Sequence, residues 1–196
     1  CGNYPYLEKD ACGFGFIADI NNVPKHEIVH QALDIVHKLD HRGAIGADPL
    51  AGDGAGILIQ LPDLFFRNHF SNQKISLPEL GFYAVGMVFL PNDKTRLSME
   101  KKAIEKAITD EGQVFIGWRD VPTDDSVLGY SVKNNKPIIK QFFVQRSKAC
   151  VDENYFQRKL YVIRKSVHKK IHEGNLLEWE DFYIVSLSTR TIVFKG

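Results

Sequence analysis

The run FYAVGMVFL at residues 82–90 is the strongest strand signal in the chain, and Pro91-Asn92-Asp93 stops it abruptly. A lone strand is not stable in water, so the remaining residues must supply neighbours for it and cover. Further strand-like runs lie at 57–61, closed by Pro62, at 113–121, again ended by proline, and at 138–145. Residues 181–187 and 191–194 read as a hairpin around Ser188-Thr189-Arg190. Helical periodicity falls between these runs. Ile28, Val29, Ala32, Leu33, Ile35, Val36 and Leu39 share one face of a helix over 26–39, and 64–70 is a short phenylalanine-rich helical turn. Met99, Ala103, Ile104, Ala107 and Ile108 give the inner side of a helix over 97–110, as Phe156, Leu160, Ile163, Val167 and Ile171 do over 154–172. Strands and helices mixed in this order predict an α+β architecture, sheets with helices packed outside them, and not a regular βαβ alternation.

Two segments bear on function. Residues 12–20, CGFGFIADI, alternate so that Phe14, Phe16 and Ala18 fall on one face; they read as a strand opened by glycines that admit something close to the backbone. Asn21-Asn22-Val23-Pro24 is a turn, 41–56 a Gly/Asp-rich loop, and 123–137 a polar loop. The last strand runs up to Gly196 without a cap or turn, so it reads as the interior of a longer sheet.

Composition narrows the function classes. Lys+Arg total 25 and Asp+Glu 24, a formal charge of +1, which gives no default attraction to nucleic acid or to an anionic membrane. No stretch approaches the roughly 18 apolar residues needed to cross a bilayer. Residues 1–10 lack the basic and apolar regions of a secretory signal. Cys1, Cys12 and Cys150 make neither a disulfide framework nor a CxxC pair, which points to a reducing compartment. The expectation is a cytoplasmic protein, with a plastid left open.

Four constellations could carry chemistry. His26-Glu27-Ile28-Val29-His30 is a literal HExxH, which on a helix would hold zinc through both imidazoles with Glu27 activating water. Pro24 puts the motif in a first helical turn, and Leu33 and Val36 stand where a metzincin needs Gly and His. Arg158, Lys159, Arg164, Lys165, Lys169 and Lys170 make a basic helix, which reads as a solvated outer face given the charge balance. Gly52-Asp53-Gly54-Ala55-Gly56 is not GxGxxG and no GxxxxGK(S/T) occurs, which argues against a dinucleotide or P-loop turn. Cys12 is the fourth. A lone thiol is usually a small buried hydrophobe, but here a small residue precedes it and a glycine-opened strand follows. Cleavage of the Ala11–Cys12 bond would give Cys12 an α-amine of pKa about 7.7–8.0, a general base beside its own thiol.

Cys12-Gly13-Phe14-Gly15-Phe16-Ile17-Ala18, then His41-Arg42-Gly43-Ala44, then Ala47-Asp48 with residues 52–56, resemble the start of the glutamate synthase large subunit family. Gly117-Trp118-Arg119-Asp120-Val121-Pro122 and Ser186-Leu187-Ser188 continue the likeness in order, over nearly the whole chain. The resemblance implies an N-terminal nucleophile hydrolase-type fold, antiparallel sheets sandwiched between helical layers, present here in part. It implies a class II glutamine amidotransferase domain over 12–196 behind a propeptide-like segment 1–11. Cys12 is then the nucleophile, preferred over Cys1 because only Cys12 leads into a strand, with Arg42, Gly43, Asp53 and Gly54 binding substrate or supporting the site.

The implied substrate is L-glutamine, hydrolysed to glutamate and ammonia. Later domains of the parent would pass the ammonia to 2-oxoglutarate using FMN and an iron–sulfur cluster, with electrons from a small NAD(P)H-oxidising subunit or from ferredoxin. No metal or cofactor site is implied within these residues. A non-catalytic α/β binding or scaffold module is the alternative, and a zinc metallohydrolase through residues 26–30 stands third. The family's oxyanion-hole Asn-Gly pair is expected downstream, and no Asn-Gly dipeptide occurs here. Loss of one oxyanion donor costs ~10²–10³ in kcat. A purified 1–196 segment is therefore expected to release no ammonia from glutamine above a blank in a coupled assay; robust release would overturn this.

Overall fold

The computed structural model describes residues 13–43, 48, 50–52, 54–71, 73, 75–133, 135–172 and 181–195, without the side chain of Arg42. The chain divides into two compact units, one of residues 1–57, 126–134 and 195–196, the other of 58–125 and 135–194.

The larger unit is built on a four-stranded sheet in the order β3-β4-β2-β5. Its strands are β2 (Tyr83–Leu90), β3 (Val114–Asp120), β4 (Ile138–Gln145) and β5 (Tyr183–Ser188), and every neighbouring pair is antiparallel. β2 pairs with β4 without a break from Tyr83↔Gln145 to Leu90↔Ile138. Because side chains alternate across a strand, this ribbon feeds two cores. Ala84, Val88, Leu90, Phe142 and Val144 face α3 (Lys94–Asp110) and α4 (Glu153–His172). Tyr83, Val85, Met87 and Phe143 face Phe66 and Phe70 of α2 (Asp63–Ser71) and Ile192 of β6 (Thr191–Lys195). β6 pairs with β1 (Gly56–Gln60) in a separate two-stranded sheet. Gly86 lies opposite Phe142, and a Cβ there would come within 2.2 Å of that ring, so the helix-side core closes directly over bare backbone.

Polar side chains pin the layers. Asp63 accepts hydrogen bonds from the Tyr83 hydroxyl at 2.8 Å and from Arg67 Nε at 2.7 Å, while Arg67 Nη1 donates to the Leu77 carbonyl at 2.9 Å. Burial, with the Asp63 carboxylate beside it, raises the Tyr83 phenol well above its ordinary range. Trp118 Nε1 donates to Glu105 of α3 at 2.6 Å, and its ring lies against Phe115 and Phe142.

The α+β class is borne out, with an antiparallel sheet covered by helices. The strands expected at 82–90, 113–121 and 138–145 are β2, β3 and β4, and all five apolar positions expected to face inward on α4 are buried. Three expectations are corrected. Residues 13–19 form no strand: a strand is defined by its ladder, and Phe14 and Phe16 are almost fully exposed there. Residues 181–187 and 191–194 are not a hairpin, since β5 joins the four-stranded sheet and β6 the other. Glu153 explains the split: it accepts from Thr189 Oγ1 at 3.0 Å and from Arg190 Nε and Nη2 at 2.7 and 3.0 Å, so the bend is fastened to the start of α4. Arg190 then offers its carbonyl to Leu61 N at 2.8 Å, at the end of β1.

The third correction concerns α3. Met99 is 57% exposed, and Glu100 is the buried neighbour at 1%. Glu100 is compensated by Arg96 one turn earlier, at 3.5 Å, and Arg96 also reaches Asp181 at 3.6 Å. Burial pushes the Glu100 carboxyl up from 4.5 to about 7 against the pull of Arg96, with Asp181 adding to the rise. The folded state therefore holds a proton that the unfolded chain releases near its ordinary pKa, so this group's contribution to stability falls as pH rises through that window. Glu100→Gln removes the titration. Its thermal midpoint relative to the unsubstituted protein is expected to rise between pH 5 and pH 8, by the equivalent of roughly 1–3 kcal/mol. A pH-independent difference in calorimetry would contradict the assignment.

Candidate active site

The first unit carries the motifs that point to chemistry. Asp19 organises the entry to α1 (His26–Lys38): its carboxylate accepts from Asn21 N at 2.9 Å, Val23 N at 3.3 Å and Lys25 Nζ at 2.9 Å. The Lys25 ammonium, then the backbone N–H groups, hold that carboxyl below its ordinary range despite partial burial. The turn expected at 21–24 falls two residues earlier: Asn22 N donates to Asp19 O at 3.0 Å, with Asn22 in the left-handed region at φ 54°. Residue 15 must be glycine for the path to close, because a Cβ there would lie 2.5 Å from Ile35 of α1. The close approach expected beside 12–20 is thus the helix itself.

α1 ends in a 3-10 turn, Asp40–Arg42, which begins the loop bearing the candidate residues. Leu39 N donates to the Ile35 and Val36 carbonyls at 3.1 Å each, and Gly43 N to Asp40 O at 3.0 Å. Gly43 is extended (φ −86°, ψ 150°), so the chain leaves the helix immediately after Arg42. Gly54 is exposed just ahead of β1. Cys12, Asp53 and the Arg42 side chain lie outside the described residues.

A buried carboxylate belongs to this loop as well. Asp48 is 6% exposed, and its Oδ2 accepts from Ser131 N at 3.0 Å and Ser131 Oγ at 2.6 Å while Oδ1 accepts from Leu50 N at 3.1 Å. The Ser131 hydroxyl first, then its N–H, hold the carboxyl below its ordinary range. Nothing near Asp48 in sequence signals this, because its partner is 83 residues away in a stretch that reads only as polar loop.

The other constellations resolve differently. His26 and His30 are exposed and stand edge to face at 4.5 Å, and Glu27 accepts from Gln31 at 3.4 Å. Among the described residues no group of three His, Cys, Asp or Glu could hold a metal, and HExxH lies on an exposed helix face. The cations of α4 are engaged locally: Lys159 with Glu111 at 2.8 Å, and Arg158, Lys165 and Arg164 over the rings of Tyr155, Tyr161 and Tyr183. That is the solvated outer face expected of them.

Cys150 is 3% exposed, and burial pushes its thiol above the ordinary value. It sits beside an open cleft of about 440 Å³ that Phe82, Gln145, Arg146 and Lys148 also line, with Arg146 stacked 4.1 Å over Phe82. A buried, protonated thiol is a packing group and not a nucleophile.

Residues 12–196 match the family described as glutamine amidotransferases class-II. The chain belongs to that family. It is 43% identical over 192 residues to the glutamate synthase [NADPH] large chain of Bacillus subtilis (strain 168), covering 98% of this chain and 12% of that one. It is 44% identical over 190 residues to the ferredoxin-dependent glutamate synthase of Pyropia yezoensis, covering 96% and 12%. Ferredoxin-dependent glutamate synthase 2 of Synechocystis sp. is 37% identical over 201 residues, covering 99% and 12%. The chain thus spans about an eighth of the length of these curated relatives. Among the described residues no helix is long and apolar enough to cross a membrane.

Proposed function

We propose that this chain is the glutamine-hydrolysing part of a glutamate synthase large chain, with Cys12 as its nucleophile. The observation that carries the reading is the coincidence of the family match with the thiol: the match begins at residue 12. Cys150, the cysteine among the described residues, is buried with a raised pKa, which favours Cys12 by chemistry as well. Residues 1–11 are then a propeptide whose removal frees the α-amine.

In this reading the α-amine of Cys12 takes the thiol proton, and the thiolate attacks the side-chain carbonyl carbon of glutamine. The tetrahedral oxyanion collapses to a γ-glutamyl thioester as the ammonium returns its proton to the departing ammonia. Water then attacks the thioester, releasing glutamate and restoring the thiol. Arg42 and Gly43, at the end of the turn leaving α1, and Asp53 and Gly54, ahead of β1, bind the substrate or support the site. Ammonia passes to 2-oxoglutarate elsewhere in the parent. FMN and an iron–sulfur cluster would serve that reduction in other domains of the parent. The relatives' names include both NADPH-linked and ferredoxin-dependent enzymes, so either donor suits the proposal.

Cys12→Ala in the full-length enzyme is expected to cut glutamine-dependent glutamate formation by at least ~10³-fold, the scale on which loss of a nucleophile is felt. Synthesis from added ammonia should continue. Undiminished glutamine-dependent activity would leave the domain as a scaffold and overturn the proposal.

A further inference from the structure

The segment joining β3 to β4 does not stay with the strands it connects. Residues 126–134 group with residues 1–57 and not with the sheet on either side of them in sequence. A connection that leaves its own sheet needs an anchor where it lands, and Asp48 is that anchor. Its carboxylate takes both the N–H and the hydroxyl of Ser131, and at the same time Leu50 N of its own loop. The Asp48 carbonyl accepts Ala51 N at 2.9 Å, closing the turn that follows it. Gly129 completes the fit: a Cβ there would stand 2.4 Å from Asp48 Oδ2 and 2.7 Å from its Cγ, so only a glycine lets the segment come down onto the carboxylate. On the far side of that contact the segment turns, with Val132 N and Lys133 N both donating to Gly129 O at 3.3 and 3.2 Å.

We infer that Asp48 is a positioning residue for glutamine hydrolysis, holding the 41–56 loop in register by strapping residues 126–134 across it. The inference rests on the reading of Cys12 and that loop as the glutamine site. Asp48 stands six residues after Arg42 and five before Asp53 in sequence, and its side-chain bonds to backbone can do the work a ladder does elsewhere. This buried carboxylate serves three donors, and without it Ser131 N and Leu50 N lose their partner within the protein. Catalytic groups tolerate displacement of only ~0.5 Å, and a 1 Å error costs ~10²-fold, so a loosened strap is read out as lost glutamine chemistry and not as lost fold.

The test uses the full-length enzyme and three variants. Asp48→Asn keeps the size but turns an amide toward Ser131 N, and Gly129→Ala drives a methyl into the carboxylate by a different route. Both are expected to lower kcat/KM for glutamine by ~10–100-fold while synthesis from added ammonia is unchanged. Ser131→Thr, which keeps both donors, should stay within about twofold, since neither bond is lost. The discriminating readout is alkylation at Cys12, located by peptide mass spectrometry. A chloroketone analogue of glutamine should label the two damaging variants more slowly, in step with kcat/KM, while iodoacetamide labels them at the unsubstituted rate. Glutamine kinetics within twofold for Asp48→Asn would overturn the inference. So would an equal change in both alkylation rates, which means general loosening and not mispositioning. If neither reagent labels Cys12 in the unsubstituted enzyme, the nucleophile assignment fails, and the glutamine kinetics of the variants still decide the role of Asp48.

Discussion

Eight residues of β2 pair with eight of β4, and every residue of the ribbon they form is buried or half-buried. Every other side chain goes to the helices α3 and α4, and the alternate set goes to α2 and β6. Slipping the register by one residue would exchange the two sets and leave Phe142 without the gap at Gly86. Both layers of the larger unit therefore depend on one pairing, and the polar contacts that fasten them, Tyr83 to Asp63 and Trp118 to Glu105, start from this sheet.

The step between sheets follows from the same constraint. β5 must lie beside β2 on the edge away from β4, and β6 must cover the opposite face, so the chain has to turn out of one sheet within Ser188-Thr189-Arg190. Glu153 and Gln157 at the start of α4 receive that turn through Thr189 and Arg190. Ser188 Oγ accepts from Arg190 N at 3.1 Å, and Ser186 Oγ from Val193 N at 3.2 Å. The serines of a motif first noticed as a family likeness thus have a direct structural use.

Legibility in sequence tracks how local each signal is. The inner face of α4 and both ends of β4 could be read because one periodicity and one pair of boundaries decide them. On α3, counting apolar residues favours Met99 where Glu100 is the buried one, because the pairing of Glu100 with Arg96 is visible only once both are placed. Residues 188–190 look like a hairpin because the turn is tight; the partners that divert it are in a helix more than thirty residues earlier. At the site the limits are sharper. The motifs around Cys12 and 41–56 carry the family, whereas the Asp48–Ser131 contact spans 83 residues and has no local pattern at all.

Taken together, a two-sided sheet supports the larger unit, and in the smaller one Asp48 of the Gly/Asp-rich loop is a buried carboxylate bound to Ser131. The chemistry proposed for this loop requires one covalent fact before any other: the thiol of Cys12 must sit beside a free α-amine. Intact mass and N-terminal peptide sequencing of the mature full-length enzyme test this directly. The account predicts a chain beginning at Cys12 with an unblocked amine. A mature active enzyme that retains residues 1–11 would contradict it.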